Sequence, residues 1–355
     1  MLHTPAVRGI EQQQPESYAK RSSTVPSCTS VLLSAAAFTG ACSDSWADLQ
    51  ALVSPTQSDV GYAWVARKVS KDFGSAKDAQ SQMDDSPLPV ILGPTEATSA
   101  SVGLYIVDDH HTLAALDYSG FDDVTVSVVV QCDWRALPED VFWANMNHNY
   151  VYGLARNPGN LSALPQPLAD PRVDLPSAFA FTASGGTAFG DDPFRSLAGF
   201  VRKVQNSSCT DDESKYCERG FDRVCDAGGG GIPFFEFMWA YYANAVVLDT
   251  GNSSSSAAVQ WWPSAADENA FNAAWLALPP SSVAQLGAVD LSAWAAAASL
   301  LVPLCRSSAT GGYALPADAG FAFQALPGYV DGWAALPGDP DCAVATCVDP
   351  VAARH

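Results

Sequence analysis

Leu104-Tyr-Ile-Val-Asp-Asp-His-His-Thr-Leu-Ala-Ala-Leu-Asp117 is the stretch on which the fold turns. Leu104–Val107 has the apolar, partly β-branched make-up of a strand, Asp108–His111 is polar enough for a turn, and Thr112–Asp117 predicts a helix that stops before Gly120. A strand running straight into a helix aims the free N–H groups and the positive dipole end of that helix at one point, which favours an anion such as phosphate. Asp108 or Asp109 could instead do no more than cap the helix. The chain has five histidines, and two of them, His110 and His111, are adjacent at this junction. Next to a positive helix end an imidazole stays neutral, fit to exchange a proton or bind a metal. Asp108, His110 and His111 are therefore the candidate catalytic residues, with Asp109 and Thr112 as candidate substrate contacts.

Outward from this stretch, Val60–Val69 carries Val60, Trp64, Val65 and Val69 on one helical face, Leu88–Leu92 is a short strand before Gly93-Pro94, and Val124–Gln131 is a β-branched strand. Residues 46–135 thus form a small α+β unit. Residues 136–355 change character: Pro138–Met146, Pro233–Asn244, Ala265–Leu278 and Asp290–Leu301 are helices between Pro- and Gly-rich loops, interrupted by a Cys-containing insert at 206–231. The insert ends in Gly228–Gly231 without the strand context or the Lys-[Ser/Thr] of a P-loop, so it is a loop.

The chain of 355 residues is 48% hydrophobic with 10 Trp, enough for a sizeable core. Its net charge of −20 leaves no basic face to neutralise a long nucleic-acid backbone, so a small phosphorylated or nucleotide substrate fits better. No apolar run is long enough to span a bilayer.

Residues 1–45 have the make-up of a leader. Ser30–Ala41 is apolar and small, follows Lys20-Arg21 and ends before Cys42, as the core of a signal peptide does; an ordinary buried helix or a disordered leader is the plain alternative. The nine cysteines include no C-x-x-C pair, and Cys209, Cys217 and Cys225 punctuate the insert, which suits a disulfide-permissive compartment rather than a zinc site. Sequons at Asn160, Asn206 and Asn252 would be glycosylated in a secreted eukaryotic chain. Together these point to a secreted protein. Cys132 sits alone at a strand end and reads as a packed thiol.

Several segments, in order, carry a resemblance: Pro55-Thr-Gln57 with Val60-Gly-Tyr62 and Lys68, Pro89-Val-Ile-Leu-Gly-Pro94, Leu104–His111, Phe142-Trp143, Asp191–Gly199 and Pro233–Trp239. Over most of residues 50–250 the chain resembles the ParB-like nuclease family, a branch of the ParB/sulfiredoxin fold. The resemblance implies a ParB/sulfiredoxin-like mixed α/β domain, and a nuclease, nucleotide hydrolase or phosphotransferase with its centre at Asp108–His111. Where the family usually reads V-D-G-H-H-R, this chain has Asp109 for the glycine and Thr112 for the arginine. An added carboxylate and a lost guanidinium disfavour phosphate. Mg²⁺ or Mn²⁺ held by Asp108 and Asp109 would restore the balance.

Further candidate substrate contacts each have a plain alternative. Gln57 and Thr56 read a substrate or cap the next helix. Lys68 contacts phosphate or is solvated. Asp191 or Asp192 caps the helix Pro193–Val201, with Pro193 in its first turn. Arg195 meets Glu236, whose apolar helix demands a cation, and the pair is a structural salt bridge if it is not part of the site. Two competing functions stand beside the phosphoester enzyme. One is a secreted binding domain that kept the scaffold and lost catalysis. The other is a metal phosphoesterase of the DHH type, suggested by Asp109-His110-His111 but lacking an Asp-x-Asp on an earlier strand. A hydrolase triad lacks its G-x-S-x-G.

Overall fold

The structure is a computed structural model in which residues 25–94, 103–149, 155–156, 166–167, 175–184, 186–201, 265–279 and 282–301 are described. The elements are α1 (Cys28–Leu33), β1 (Gly40–Ser45), α2 (Trp46–Leu49), β2 (Val53–Ser54), β3 (Asp59–Val60), α3 (Tyr62–Asp72), α4 (Ala76–Asp85), β4 (Leu88–Leu92), β5 (Leu104–Ile106), α5 (His110–Ser119), β6 (Thr125–Asp133), α6 (Glu139–Asn149), β7 (Ala155–Arg156), β8 (Gln166–Pro167), β9 (Gly190–Asp191), α7 (Pro193–Val201), α8 (Ala265–Leu276), a 3₁₀ turn (Val283–Ala288) and α9 (Leu291–Leu301). The fold is mixed α/β, and the described part beyond residue 201 is helical.

A five-stranded mixed sheet runs in the order β1-β6-β4-β5-β2. β6 is its spine, antiparallel to β1 and parallel to β4. Val126, Val128 and Val130 of β6 join Leu88, Val90 and Leu92 of β4 in the main core, as the period-2 pattern requires. The alternation then breaks: Val90 pairs with Val130 but Ile91 with Cys132, so Gln131 is an extra residue. This bulge sends Cys132 to the opposite face, where it packs with Ile91, Tyr105, Trp134, Phe142 and Trp143.

The first strand comes from the expected leader. Residues 25–45 belong to the fold, which corrects the exclusion of residues 1–45. β1 pairs with β6 from Gly40↔Val130 to Ser45↔Thr125. A disulfide joins Cys28 to Cys42, both fully buried. The Arg135 guanidinium donates to the carbonyls of Leu32 (3.2 Å), Ser34 (2.8 Å) and Ala36 (3.0 Å), closing the end of α1. Arg135 is fixed in turn by Asp133 at 2.7 Å. Cys132 is also disulfide-bonded, which corrects its reading as a packed thiol.

Residue 135 is likewise no structural boundary. β3 pairs in parallel with β9, and Phe179, Phe181, Phe189, Val283 and Leu286 enter the main core. α7 bridges α3 to the C-terminal helices through aromatic contacts, Trp64 to Phe200 at 5.4 Å, Phe194 to Trp275 at 4.5 Å and Phe200 to Trp294 at 6.0 Å. α4 is a helix where the sequence suggested only a polar stretch; Ala79 and Met83 are its buried stripe, and Ser75 caps it by accepting the Asp78 N–H. Among the described residues no helix is long and apolar enough to cross a membrane. The sequons, the insert at 206–231 and Pro233–Asn244 with Glu236 lie outside the described residues.

Candidate active site at the ends of two parallel strands

β2 and β5 are parallel neighbours, with Val53 opposite Leu104 and Ser54 opposite Tyr105. Both chains therefore leave the sheet at the same edge, β2 into Pro55–Ser58 and β5 into Val107–Asp109, the usual place for a ligand crevice in such sheets. The Thr56 hydroxyl donates to the Ile106 carbonyl at 2.5 Å and sews the two exits together.

α5 starts from Asp109 in the left-handed conformation, φ 66°, where it is the sole non-glycine residue with positive φ among the described residues. Aspartate is one of the few side chains that tolerates this region, which explains how it can replace the family's glycine. Its carboxylate does not cap α5. Oδ1 accepts the Thr112 hydroxyl at 2.8 Å instead, so the two departures from the family pattern are bonded to each other. Asp108 is exposed, and its Oδ1 accepts the Asp109 N–H at 2.6 Å.

The histidines hold backbone. His110 is 1% exposed and its Nε2 accepts the Thr56 N–H at 3.1 Å. The neutral ring carries its proton on Nδ1, which is buried without a hydrogen-bond partner. Burial, and then the charge of Arg195, hold the His110 pKa well below 6.5. The expected neutrality is therefore found, with burial as its main cause. His111 is half-buried, and its Nε2 accepts the Gly61 N–H at 2.9 Å. Both imidazoles thus grip the segment between β2 and α3.

That segment is held from its other side by the start of α7. Arg195, 6% exposed, donates from Nη2 to Gln57 Oε1 at 2.7 Å and from Nη1 to the Asp59 carbonyl. Asp192 caps α7 by accepting the N–H groups of Phe194 (3.0 Å) and Arg195 (3.1 Å). Asp191 of β9 accepts the Tyr62 N–H at 2.9 Å and Ser196 Oγ of α7 the Trp64 N–H at 3.2 Å, so β9 and α7 together supply the caps of α3. Gly61 is required here, because a Cβ would lie 2.5 Å from Ser196 N and Oγ.

The structure thus gathers Gln57, Asp108, Asp109, His110, His111, Thr112, Asp192 and Arg195 around one sheet edge. Lys68 is half-buried on α3, about 9 Å along the helix from its first residue. Gln57, Asp192 and Arg195 are buried and engaged with one another's segments rather than turned toward a substrate. Glu236 is outside the described residues. Missed by the sequence were Gly61, Asp59, Tyr62 and Ser196; Gly61, Tyr62 and Ser196 stood in motifs of the resemblance, but nothing local showed that the segment at Gly61 meets β9 and α7.

Among the described residues no three His, Cys, Asp or Glu side chains come together to hold a metal ion. Asp108 and Asp109 each use one oxygen inside the turn, and the clustered carboxylates of a DHH-type centre are not present among these residues.

Residues 47–220 match the family model described as "Putative ParB-like nuclease". This segment belongs to the ParB-like nuclease family. The chain is also similar to a solved structure, that of protein Atu1540 from Agrobacterium tumefaciens, at 23% identity and a TM-score of 0.31, covering 58% of this chain and 79% of that one. No curated protein matches the chain.

Proposed function

We propose that this protein is a phosphoester-directed enzyme, nuclease-like in chemistry but acting on small phosphorylated or nucleotide substrates, with its centre at the turn Asp108–His111. The observation that carries this is the first turn of α5, which opens at the shared exit of two parallel strands and is not capped by its own Asp109. Backbone N–H groups in that position stabilise charge on a phosphoryl oxygen. Asp108, the exposed carboxylate beside them, is assigned the proton transfer. His110 and His111 act as positioning residues, since their Nε2 atoms are occupied by Thr56 and Gly61. The net charge of −20 disfavours long polyanions far more than small ones.

The same occupation of both histidines favours one second reading, a scaffold that binds without turnover. The disulfides at Cys28–Cys42 and at Cys132 support a secreted protein working in an oxidising compartment. The test is release of p-nitrophenol from bis(p-nitrophenyl) phosphate and of phosphate from nucleotides, with and without Mg²⁺ or Mn²⁺. Wild-type turnover that falls at least about tenfold in Asp108→Asn, at unchanged melting temperature, supports the enzyme. Binding without turnover selects the scaffold, and turnover equal in Asp108→Asn removes the centre from this turn.

A further inference from the structure

We propose that His110 and His111 form a proton-sensitive latch on Pro55–Gly61, holding the segment closed while both imidazoles are neutral and releasing it on acidification. The geometry that carries this is the pair of acceptor contacts. His110 Nε2 receives the Thr56 N–H near the start of the segment and His111 Nε2 receives the Gly61 N–H at its end. Between them Gln57, Ser58 and Asp59 are buried. A protonated imidazole is a donor at both nitrogens, so protonating either ring turns an N–H···N bond into two opposed N–H groups. Neither contact survives that change. The latch is a property of the fold, and it stands whether or not this edge is a phosphoester site.

The charges around the pair set its working range. His110 faces Arg195 from α7, which opposes protonation, and Asp59 lies beyond through the carbonyl that Arg195 grips. Asp108 and Asp109 precede it in the turn, and Asp117 lies at the far end of α5. Beside His111, Asp191 of β9 accepts the Tyr62 N–H, the amide next to Gly61, and this carboxylate favours a charged ring once the segment moves. Asp192 is committed to capping α7. On α3 the charged side chains are Arg67, Lys68, Lys71 and Asp72, all in its C-terminal half, with Arg67 and Asp72 paired at 3.6 Å.

The sign follows from linkage. In the open form an exposed histidine titrates near its ordinary value of about 6.5, whereas the closed form requires neutral rings, so the open form takes up protons as pH falls below about 6.5. Between pH 7.5 and 5.5 the closed-to-open ratio falls about tenfold for one histidine and up to about 100-fold for two. Amide hydrogen exchange on the full chain reads this directly, because the Thr56 and Gly61 amides are the donors. The expected result is a drop in their protection of about tenfold or more from pH 7.5 to 5.5, after correction for intrinsic exchange, while Val128 and Val130 in β6 stay protected. In His110→Gln with His111→Gln the amide oxygen accepts near the Nε2 position without titrating, and the drop shrinks to under about twofold. Protection that is unchanged in the wild type, that falls equally in β6, or that falls as far in the glutamine variant overturns the latch. If the variant does not fold, the wild-type contrast between Thr56 or Gly61 and β6 decides.

Discussion

Replacing Arg195 by Met removes the guanidinium that ties α7 to the segment leaving β2 while keeping most of the side-chain stem. The loss is worked from its contacts. Buried hydrogen bonds made by a charged group contribute about 1.5–3 kcal/mol each, and Arg195 makes two such bonds on this segment, to Gln57 Oε1 and the Asp59 carbonyl. Met fills the stem volume, so the cavity cost is small. The expected destabilisation is about 3–5 kcal/mol, in the range for breaking one side of a buried charged contact. It should be seen as a lower midpoint in urea with unchanged slope. A second readout separates this account from a general loss of packing: without the neighbouring positive charge the His110 pKa rises toward its ordinary value, visible in the imidazole proton shifts. A loss below about 1 kcal/mol, or a His110 titration identical to wild type, would refute the reasoning.

Asp117 is buried and accepts from Trp46 Nε1 (3.2 Å), Gln50 Nε2 (2.6 Å) and the Phe181 N–H (2.6 Å). Asp117→Ala should cost about 2–5 kcal/mol by stranding those donors, measured by urea unfolding at pH 7. Burial raises the Asp117 pKa above 3.8, so the folded state holds the proton longer and this group's stabilising contribution falls as pH rises from 3.8 through the raised value. Asp117→Asn, uncharged and still accepting from Trp46 and Gln50 at its one oxygen but not from the Phe181 N–H, should flatten that pH dependence and cost less than Ala; a pH dependence unchanged in Asn counts against a desolvated carboxylate. Replacing both Cys28 and Cys42 by Ser opens a loop with a sequence separation of 14, which should cost about 3 kcal/mol. Exchange should rise first at the β1 amides, and a variant as stable as wild type would mean that the α1 and β1 segment contributes nothing to the fold.

The elements legible in the sequence were those with a strong local period. α3, α5, β4, β5 and β6 declared themselves through apolar alternation or a helical face, with Gly120 marking the end of α5 in a left-handed cap at φ 67°. The turn Asp108–His111 was legible as a junction, but not the use of its histidines. Their partners are backbone groups 54 and 50 residues earlier, and composition says nothing about which nitrogen meets which amide. β1 was hidden because Ser30–Ala41 satisfies the pattern of a signal-peptide core equally well, and only the pairing with β6 and the disulfide reveal it as structure. The position of Cys132 depended on a one-residue bulge, which no period-2 reading contains. β3 and β9 are two-residue strands far apart in the chain, so α7 looked separable from the first unit until the caps that β9 and α7 place on α3 were seen.

The central claim is that an anion sits on the first turn of α5. It is tested most directly by titrating inorganic phosphate and a nucleoside monophosphate into isotope-labelled full-length protein at pH 7.5 while following backbone amide shifts. Saturable shifts centred on the amides of His110, His111 and Thr112, weakened at high salt, are the predicted result. Saturable shifts elsewhere, or none at these three amides at millimolar ligand, would contradict it.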